Sequence, residues 1–138
     1  MTAQRTVPAE ASQLAVLNQF LRDFWTAAAL APARMGSFEL ALEEIFMNLV
    51  MHAREPGIAP RRVELTLSVG SDAVTMMVED DGPQFDPLSL PPPDLTANLA
   101  DRSLGGLGVY LVRNVMDTVS YARIAGRNQL RMSKRLAD

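Results

Sequence analysis

The sequence contains no cysteine and only one histidine, His52. A chain without cysteine forms no disulfide and offers no thiolate to a metal, and a lone histidine argues against a zinc site. No apolar run approaches the roughly 20 residues that span a bilayer. The N-terminal segment MTAQRTVPAE also lacks the basic and then apolar layout of a signal peptide. We therefore expect a cytoplasmic protein without redox or zinc chemistry.

An excess of basic residues is absent as well. The 13 lysines and arginines are outnumbered by 16 acidic residues, and the net charge of -3 argues against a nucleic-acid binder. Acids dominate from Glu39 to Asp101, whereas arginines dominate from Arg102 onward. With 138 residues, of which 48% are apolar and 21% charged, the composition is that of one soluble globular domain spanning residues 1–138.

Three segments have apolar residues at steps of three and four, which predicts three amphipathic helices. The apolar stripe of the first consists of Leu14, Leu17, Leu21, Phe24 and Ala28. The stripe of the second consists of Phe38, Leu42, Ile45 and Leu49. The stripe of the third consists of Val109, Val112, Val115 and Met116. After the interruptions at Pro32 and Gly36, Ser37 is expected to cap the second helix, which should end near Pro56-Gly57.

Four further segments alternate apolar and polar residues, which predicts two hairpins. Their strands are Arg61–Val69 with Ala73–Glu79 and Thr118–Ile124 with Gln129–Leu136. The second pair is joined across residues 125–128, and a short strand can also form near Arg5–Val7. The simplest packing of these parts is an α+β fold with three helices on one face of a mostly antiparallel sheet.

A long loop separates the first hairpin from the third helix. Residues 83–103 show no sustained period, and the three prolines at 91–93 prevent regular structure. Loops of this length in a small domain are usually functional or disordered, and many act as lids.

Two polar residues on the second predicted helix could carry chemistry. Glu44 and Asn48 are one turn apart on the same face, beside the apolar stripe, and therefore border a partly buried cleft. The asparagine amide oxygen suits Mg²⁺, and the carboxylate could accept a proton during phosphoryl transfer. Taken alone, however, a Glu and an Asn four residues apart on a helix usually form a solvated edge. His52, one further turn along, is expected to be a packed or capping side chain.

Two glycine-containing segments could bind a nucleotide. An aspartate in Asp80-Asp81-Gly82, at a strand end, could accept a hydrogen bond from the amino group of adenine, although these residues also suit a tight turn. The glycines before the third helix offer backbone N–H groups and a positive helix end to phosphate. They form neither a Walker motif nor a Rossmann fingerprint, and a flexible hinge is the alternative.

The order and spacing of all three segments resemble the Bergerat-fold (GHKL) ATPases, and most closely the anti-sigma serine kinases of the RsbW and SpoIIAB type. ELALEEIFMNLVMHA resembles the N box, VEDDGPQFDP the G1 box and LGGLGVYLVRNVMD the G2 box. The matching positions are Glu44, Asn48, Asp80, Gly82, Gly105, Gly106 and Gly108. The resemblance covers nearly the whole chain, from the first helix to the last strand.

The resemblance implies a role for each matching residue. Glu44 would be the base, Asn48 the Mg²⁺ ligand and Asp80 the adenine contact, with residues 83–104 as the ATP lid. Arg102, just before the G2 glycines, would contact phosphate. The other positions implied to bind the nucleotide are Gly82, Gly105, Gly106, Leu107 and Gly108. ATP and Mg²⁺ are the implied cofactors.

The sequence departs from the family pattern at two places. Gln84 stands where the G1 box has its second glycine, and nucleotide affinity would fall if that position needs close backbone approach or a positive φ. Related proteins often carry a threonine in the final strand near the adenine. Here NQLRMSKRL offers Arg131 and Ser133 on one face, and Ser133 could substitute.

Three functions are consistent with these observations. The first is a partner-switching kinase that phosphorylates a serine of a STAS-domain anti-anti-sigma factor and otherwise sequesters a sigma factor. The resemblance also implies a homodimer. The second is a degenerate module that acts only by protein binding, which Gln84 favours. The third is the catalytic domain of a sensor histidine kinase, which the lack of a phosphorylatable histidine outside the N box argues against.

Overall fold

The computed structural model describes residues 1–52, 61–89 and 104–137. Within these ranges the chain forms five β-strands and three α-helices. The strands are β1 (Thr2–Pro8), β2 (Arg62–Val69), β3 (Ala73–Asp80), β4 (Thr118–Ile124) and β5 (Arg127–Arg135). The helices are α1 (Leu14–Ala27), α2 (Met35–His52) and α3 (Leu104–Val115). The predicted α+β fold is confirmed.

The strands form one antiparallel sheet in the order β1-β2-β3-β5-β4. β5, the last strand in the sequence, therefore lies between β3 and β4. This order brings the C-terminal end of β3 beside the start of β5, where Asp80 is paired with Asn128. Residues that are distant in the chain are thus neighbours at one end of these two central strands.

The core lies between one face of the sheet and the helices. Alternate residues of the three central strands point into it, as the side-chain period of two requires. They are Val63, Leu65, Leu67, Val74, Met76, Val78, Leu130 and Met132, and all are buried. The apolar stripes of α1 and α2 belong to the same buried cluster, as does Val112 of α3. The three-helix layer predicted from the sequence is confirmed.

Trp25 and Phe38 join α1 to α2. Their ring centroids are 5.2 Å apart, and both side chains are buried. The Trp25 indole donates a hydrogen bond of 2.9 Å to the carbonyl oxygen of Ala31, in the segment between the two helices. A buried indole needs such a partner because an unpaired N–H in an apolar core is costly.

The start of α2 differs from the prediction. A 3-10 turn over Pro32–Arg34 runs directly into the helix, which begins at Met35. The fixed φ of Pro32 suits the first position of such a turn. Ser37 is therefore the third residue of the helix and does not cap it, and Gly36 is accommodated inside the helix. The predicted end near Pro56-Gly57 lies outside the described residues.

The second hairpin also differs in its bounds. Its turn contains only Ala125 and Gly126, both with positive φ, so that Ile124 pairs with Arg127. β5 consequently begins two residues before the predicted start at Gln129, and Asn128 belongs to the strand. No helix within the described ranges combines the length and apolarity needed to cross a membrane.

Candidate functional site

One face of α2 carries Glu44, Asn48 and His52 at successive turns. Glu44 and Asn48 are half-buried, whereas the neighbouring Glu43 is exposed. The difference arises because Ala41, Leu42, Ile45 and Phe46 are buried and fix the rotation of the helix on the sheet. This rotation turns Glu44 toward the cleft and Glu43 toward solvent.

Glu44 lies directly against Gly108 of α3. A β-carbon added at position 108 would be 2.6 Å from Glu44 Oε2 and 3.6 Å from Glu44 Cβ. Contacts of 2.6 Å are sterically prohibited, so glycine at this position allows the two helices to approach with the carboxylate between them. The predicted N-box glutamate and a predicted G2 glycine are thus in contact.

The first turn of α3 is suited to binding an anion. The helix begins at Leu104, so Gly105, Gly106 and Leu107 all belong to its first turn, and that turn contains no acidic residue. The first four N–H groups of a helix have no partner within it, and the helix dipole adds positive potential at this end. Phosphate is the anion that such helix ends typically bind. Arg102 lies outside the described residues.

Asp80 ends β3 and is 6% exposed. Its Oδ1 accepts a hydrogen bond of 2.8 Å from the backbone N–H of Gly82, which forms an Asx turn. The same atom accepts a 3.1 Å bond from Asn128 Nδ2. Both bonds that the described residues donate to this carboxylate use Oδ1, which leaves Oδ2 for a ligand. The turn and the binding interpretations of Asp80-Asp81-Gly82 are therefore compatible.

Gly82 is required by close packing against Asp80. A β-carbon at this position would lie 2.8 Å from Asp80 Oδ1, the oxygen that the Gly82 N–H itself binds. The Gly82 carbonyl oxygen accepts a 2.8 Å hydrogen bond from Arg123 of β4, and Asp81 Oδ1 accepts one of 3.2 Å from the N–H of Arg62. The loop after β3 is thus held from β2 on one side and from β4, two strands away, on the other.

Asn128 is the functional candidate that the sequence analysis missed. It is 6% exposed and contacts Asp80, Pro83 and Phe85 as well as Tyr121 of β4. The sequence pattern predicts a turn over residues 125–128, where an asparagine is ordinary. A two-residue turn at Ala125-Gly126 is the signal that would have placed Asn128 in β5, opposite Arg123, whereas its pairing with Asp80 is set by the register of β5 on β3.

A cavity of about 280 Å³ lies between the end of α2 and the loop after β3. This is near the lower end of the roughly 300–1,000 Å³ typical of ligand pockets. Its lining residues are Leu49, His52, Asp80, Gly82, Pro83, Gln84, Phe85 and Asn128. His52 is exposed beside this cavity, and its ring centroid is 5.4 Å from that of Phe85. The histidine packs against an aromatic ring, as a structural side chain would.

Gln84 fits this loop without backbone strain. Among the described residues other than glycine, only Ala29 and Ala125 have positive φ. The Gln84 side chain is exposed. The position that has glycine in the G1 box pattern thus has a conformation here that any residue can adopt.

The start of the long loop is fixed beyond the cavity. The N–H of Ser89 donates a 3.1 Å bond to the Asp86 carbonyl oxygen, which closes a 3-10 turn over Pro87–Ser89. Asp86 Oδ1 caps this turn by accepting a 2.8 Å bond from the N–H of Leu88. Arg113 of α3 donates a 3.1 Å bond to the Leu88 carbonyl oxygen. The remainder of the predicted lid, residues 90–103, lies outside the described residues.

Ser133 does not lie near Asp80, so the suggestion that it could replace the family threonine is wrong. Its partner in the sheet is Thr75, five positions before Asp80 on β3. The Ser133 hydroxyl instead contacts that of Thr118 on β4. Asn128 occupies the position opposite Asp80.

Asn48 is the residue of this site best suited to contact Mg²⁺. Its half-buried amide lies between Glu44, beside the anion-binding end of α3, and His52, beside the Asp80 cavity. A metal at this point would contact one neutral protein oxygen and the phosphates, which fits the preference of Mg²⁺ for few protein ligands and several waters. No group of three His, Cys, Asp or Glu side chains converges as a metal site in the described ranges.

The fold is that of an ATPase domain, and comparison with known proteins agrees. Residues 7–134 match the model of the histidine kinase-like ATPase domain. The chain therefore belongs to this family.

Within the family, the chain is homologous to serine-protein kinases of the RsbW type. It is 33% identical over 117 residues to the serine/threonine-protein kinase BtrW of Bordetella bronchiseptica, covering 85% of this chain and 78% of that protein. It is 23% identical over 124 residues to the serine-protein kinase RsbW of Staphylococcus epidermidis, covering 87% and 78% respectively. The resemblance stated from the sequence is confirmed.

A solved structure shares the fold. The crystal structure of the RsbU and RsbW domains of Rv1364c from Mycobacterium tuberculosis superposes with a TM-score of 0.69 at 12% identity. The match covers 98% of this chain and 32% of that longer chain. At this identity the match supports the fold alone.

Proposed function

We propose that the protein is an ATP-dependent serine-protein kinase. The observation that carries this proposal is the placement of Glu44 against Gly108, at the anion-binding end of α3, on the same helix face that leads to the Asp80 cavity. A nucleotide in this cleft would place its base beside Asp80 and its phosphates beside α3. The γ-phosphate would then be near a carboxylate.

Recognition of adenine is assigned to Asp80. Its free Oδ2 can accept a hydrogen bond from the exocyclic amino group of adenine. Guanine presents a carbonyl oxygen at the corresponding position, and that oxygen would face a carboxylate without an intervening proton. The site should therefore prefer adenine nucleotides.

The transfer step uses Glu44 as the base. The oxygen of a substrate serine attacks the γ-phosphorus, the bond to the β–γ bridging oxygen breaks, and ADP leaves. The serine proton passes to the Glu44 carboxylate. Mg²⁺, held by Asn48 and the phosphates, would neutralise charge on the transferring group. The backbone N–H groups at the start of α3 orient the phosphates, since positioning rather than covalent chemistry limits phosphoryl transfer.

The proposed substrate is a serine of a STAS-domain anti-anti-sigma factor in the cytoplasm, with a sigma factor as the second partner. The support is the homology to serine-protein kinases of the RsbW type over most of the chain. Such a protein would regulate transcription by exchanging one protein partner for the other, without contacting DNA.

A homodimer is proposed as well. β1 is an edge strand of the sheet, and beside it α1 presents the half-buried side chains Val16 and Phe20. These two elements form one continuous surface with unpaired backbone groups at its rim. Sedimentation equilibrium of the purified protein tests the proposal, and a mass equal to one chain at all concentrations would contradict it.

Calorimetric titration with Mg-ATP, ADP and Mg-GTP tests the nucleotide site. We expect binding of both adenine nucleotides, Mg²⁺-dependent binding of ATP and much weaker binding of GTP. Incubation with Mg-ATP and a STAS-domain protein, followed by mass spectrometry, should then detect one phosphoserine. Nucleotide binding without transfer to any STAS partner would favour the alternative, a module that acts only by protein binding.

A further inference from the structure

We propose that Asn128 is a positioning residue that holds Asp80 and the first residues of the following loop in one fixed arrangement before nucleotide binds. The inference rests on the proposed function, because it concerns the residue expected to recognise adenine. Its direct consequence, however, is a property of the nucleotide-free protein and can be measured independently.

The hydrogen bonds of the Asn128 amide determine its orientation. Oδ1 accepts bonds of 3.2 Å from the Phe85 N–H and 2.6 Å from the Tyr121 hydroxyl. Nδ2 donates bonds of 3.1 Å to Asp80 Oδ1 and 2.8 Å to the Pro83 carbonyl oxygen. A backbone N–H only donates and a backbone carbonyl only accepts, so the opposite amide orientation would lose both. All four hydrogen-bonding positions of this buried amide are used.

The first consequence concerns the Asp80 carboxylate. Oδ1 accepts one bond from the loop, through the Gly82 N–H, and one from β5, through Asn128. Two donors in different directions fix the orientation of the carboxylate, and both use Oδ1, so that Oδ2 is the oxygen left for a ligand. A carboxylate that is already oriented binds with a smaller loss of conformational entropy than one that rotates freely.

The second consequence concerns Gln84. The two backbone groups that Asn128 binds in the loop, the Pro83 carbonyl and the Phe85 N–H, lie on either side of this residue. The turn is therefore closed by a side chain from β5. This explains how the loop keeps a defined shape with glutamine at the position where the family pattern has a second glycine.

Tyr121 extends the arrangement to the edge of the sheet. It belongs to β4, where it pairs with Leu130, and only its hydroxyl reaches Asn128. Tyr121→Phe removes one bond to the amide while retaining the ring. The effect of this variant should resemble that of Asn128→Ala but be smaller.

Two measurements test the proposal, with Ser133→Ala as the matched control. The control removes one side-chain hydrogen bond from the same strand, far from Asp80. The first measurement is amide hydrogen exchange at Phe85 in nucleotide-free protein. The second is the affinity for ADP and for GDP. Thermal melts of each variant establish that it is folded.

In Asn128→Ala we expect Phe85 to exchange about 10-fold faster or more, and ADP to bind about 10-fold more weakly, since the loop loses partners that bury its polar groups. GDP affinity should change much less, so that adenine preference falls. General destabilisation would weaken both nucleotides equally. Asn128→Asp should have at least as large an effect, because it places a second carboxylate against Asp80 Oδ1.

Unchanged Phe85 exchange and unchanged ADP affinity in Asn128→Ala would overturn the proposal. If Asn128→Ala does not fold, Tyr121→Phe decides: an increase in Phe85 exchange above that of Ser133→Ala supports the proposal, and equality contradicts it. A wild-type protein that binds no nucleotide would contradict the proposed function, yet Phe85 exchange would still test the role of Asn128.

Discussion

The absence of a side chain at Gly108 leaves the space that the Glu44 carboxylate occupies. In Gly108→Ala the new methyl group would occupy space now held by the Glu44 carboxylate, which must turn away. Alanine has the higher helix propensity by about 1 kcal/mol, so the helix itself should not weaken. We expect the rate of phosphoryl transfer to fall by about 10-fold or more while the melting temperature is retained, because a displaced base no longer reaches its proton.

Gly36→Ala is the matched control for this prediction. Gly36 is also inside a helix, but a β-carbon there would meet no other atom within 4 Å. The substitution should raise the free energy of unfolding by about 0.5 kcal/mol and leave the transfer rate unchanged. Equal transfer rates in the two variants would show that Gly108 does not position Glu44.

Substitution of Glu44 should impair phosphoryl transfer without impairing nucleotide binding. We expect Glu44→Ala to lower the transfer rate by about 10²–10⁴-fold, the usual contribution of a general base, while ADP binds with nearly wild-type affinity. Asn48→Ala is the contrasting variant, since loss of a Mg²⁺ ligand should weaken both Mg-ATP binding and transfer. Transfer measured under single-turnover conditions and calorimetry together make the distinction. If Glu44→Ala retained the wild-type transfer rate, Glu44 would not be the base.

At the scale of elements, α1 ends in a left-handed residue that is not glycine. The N–H of Leu30 binds the Trp25 carbonyl oxygen at 3.1 Å, and the N–H of Ala29 binds that of Thr26 at 3.0 Å. This is the Schellman motif, in which the first residue after the helix C-cap, here Ala29, is usually glycine. Ala29 holds it with φ of 54°, at a cost of about 1 kcal/mol or more.

Ala29→Gly should therefore stabilise the protein, by about 0.5–1 kcal/mol in urea unfolding. Ala27→Gly, the same substitution at the last residue of the helix, should have the opposite sign, because glycine there adds backbone entropy to the unfolded chain without relieving a positive φ. A decrease in stability for both variants would show that the φ of residue 29 is not strained.

The elements were predictable from the sequence where a periodic pattern was long. α1, β2 and β3 occur at the expected residues because their apolar positions bury one face. The errors lie where short polar segments decide the structure. The prediction that Ser37 caps α2 is wrong because the 3-10 turn at Pro32–Arg34, which precedes the helix, has no apolar pattern that would reveal it.

The sequence predicts those parts of the proposed site that each lie on one element. The face of α2 that bears Glu44 and Asn48, and the glycine-rich start of α3, are local features of the chain. The role of Asn128 is not local, since it depends on β5 pairing with β3, 48 positions earlier at Asp80. No pattern within a short window contains that information, and only the turn at Ala125-Gly126 hints at the register.

For the whole molecule, ligand binding and folding stability are coupled. Nucleotide that binds only the folded state should add about 2.7 kcal/mol to the free energy of unfolding at a concentration 100-fold above Kd. Trp25, the only tryptophan, is buried in the core and reports unfolding by its fluorescence. We expect a stabilisation that grows with the logarithm of ADP concentration and a much smaller stabilisation by GDP at the same concentration. Equal stabilisation by both would contradict the role of Asp80 in selecting adenine.

The position of β5 in the sheet has a consequence for the protein during its synthesis. While the ribosome has yet to release the residues from Arg127 onward, β3 lacks its neighbour and Asp80 lacks Asn128. A nascent chain that already contains Glu44, Asn48, Asp80 and the G2 glycines is therefore still without a finished adenine site. Because β5 lies between β3 and β4, nucleotide binding is expected only after β5 has joined the sheet.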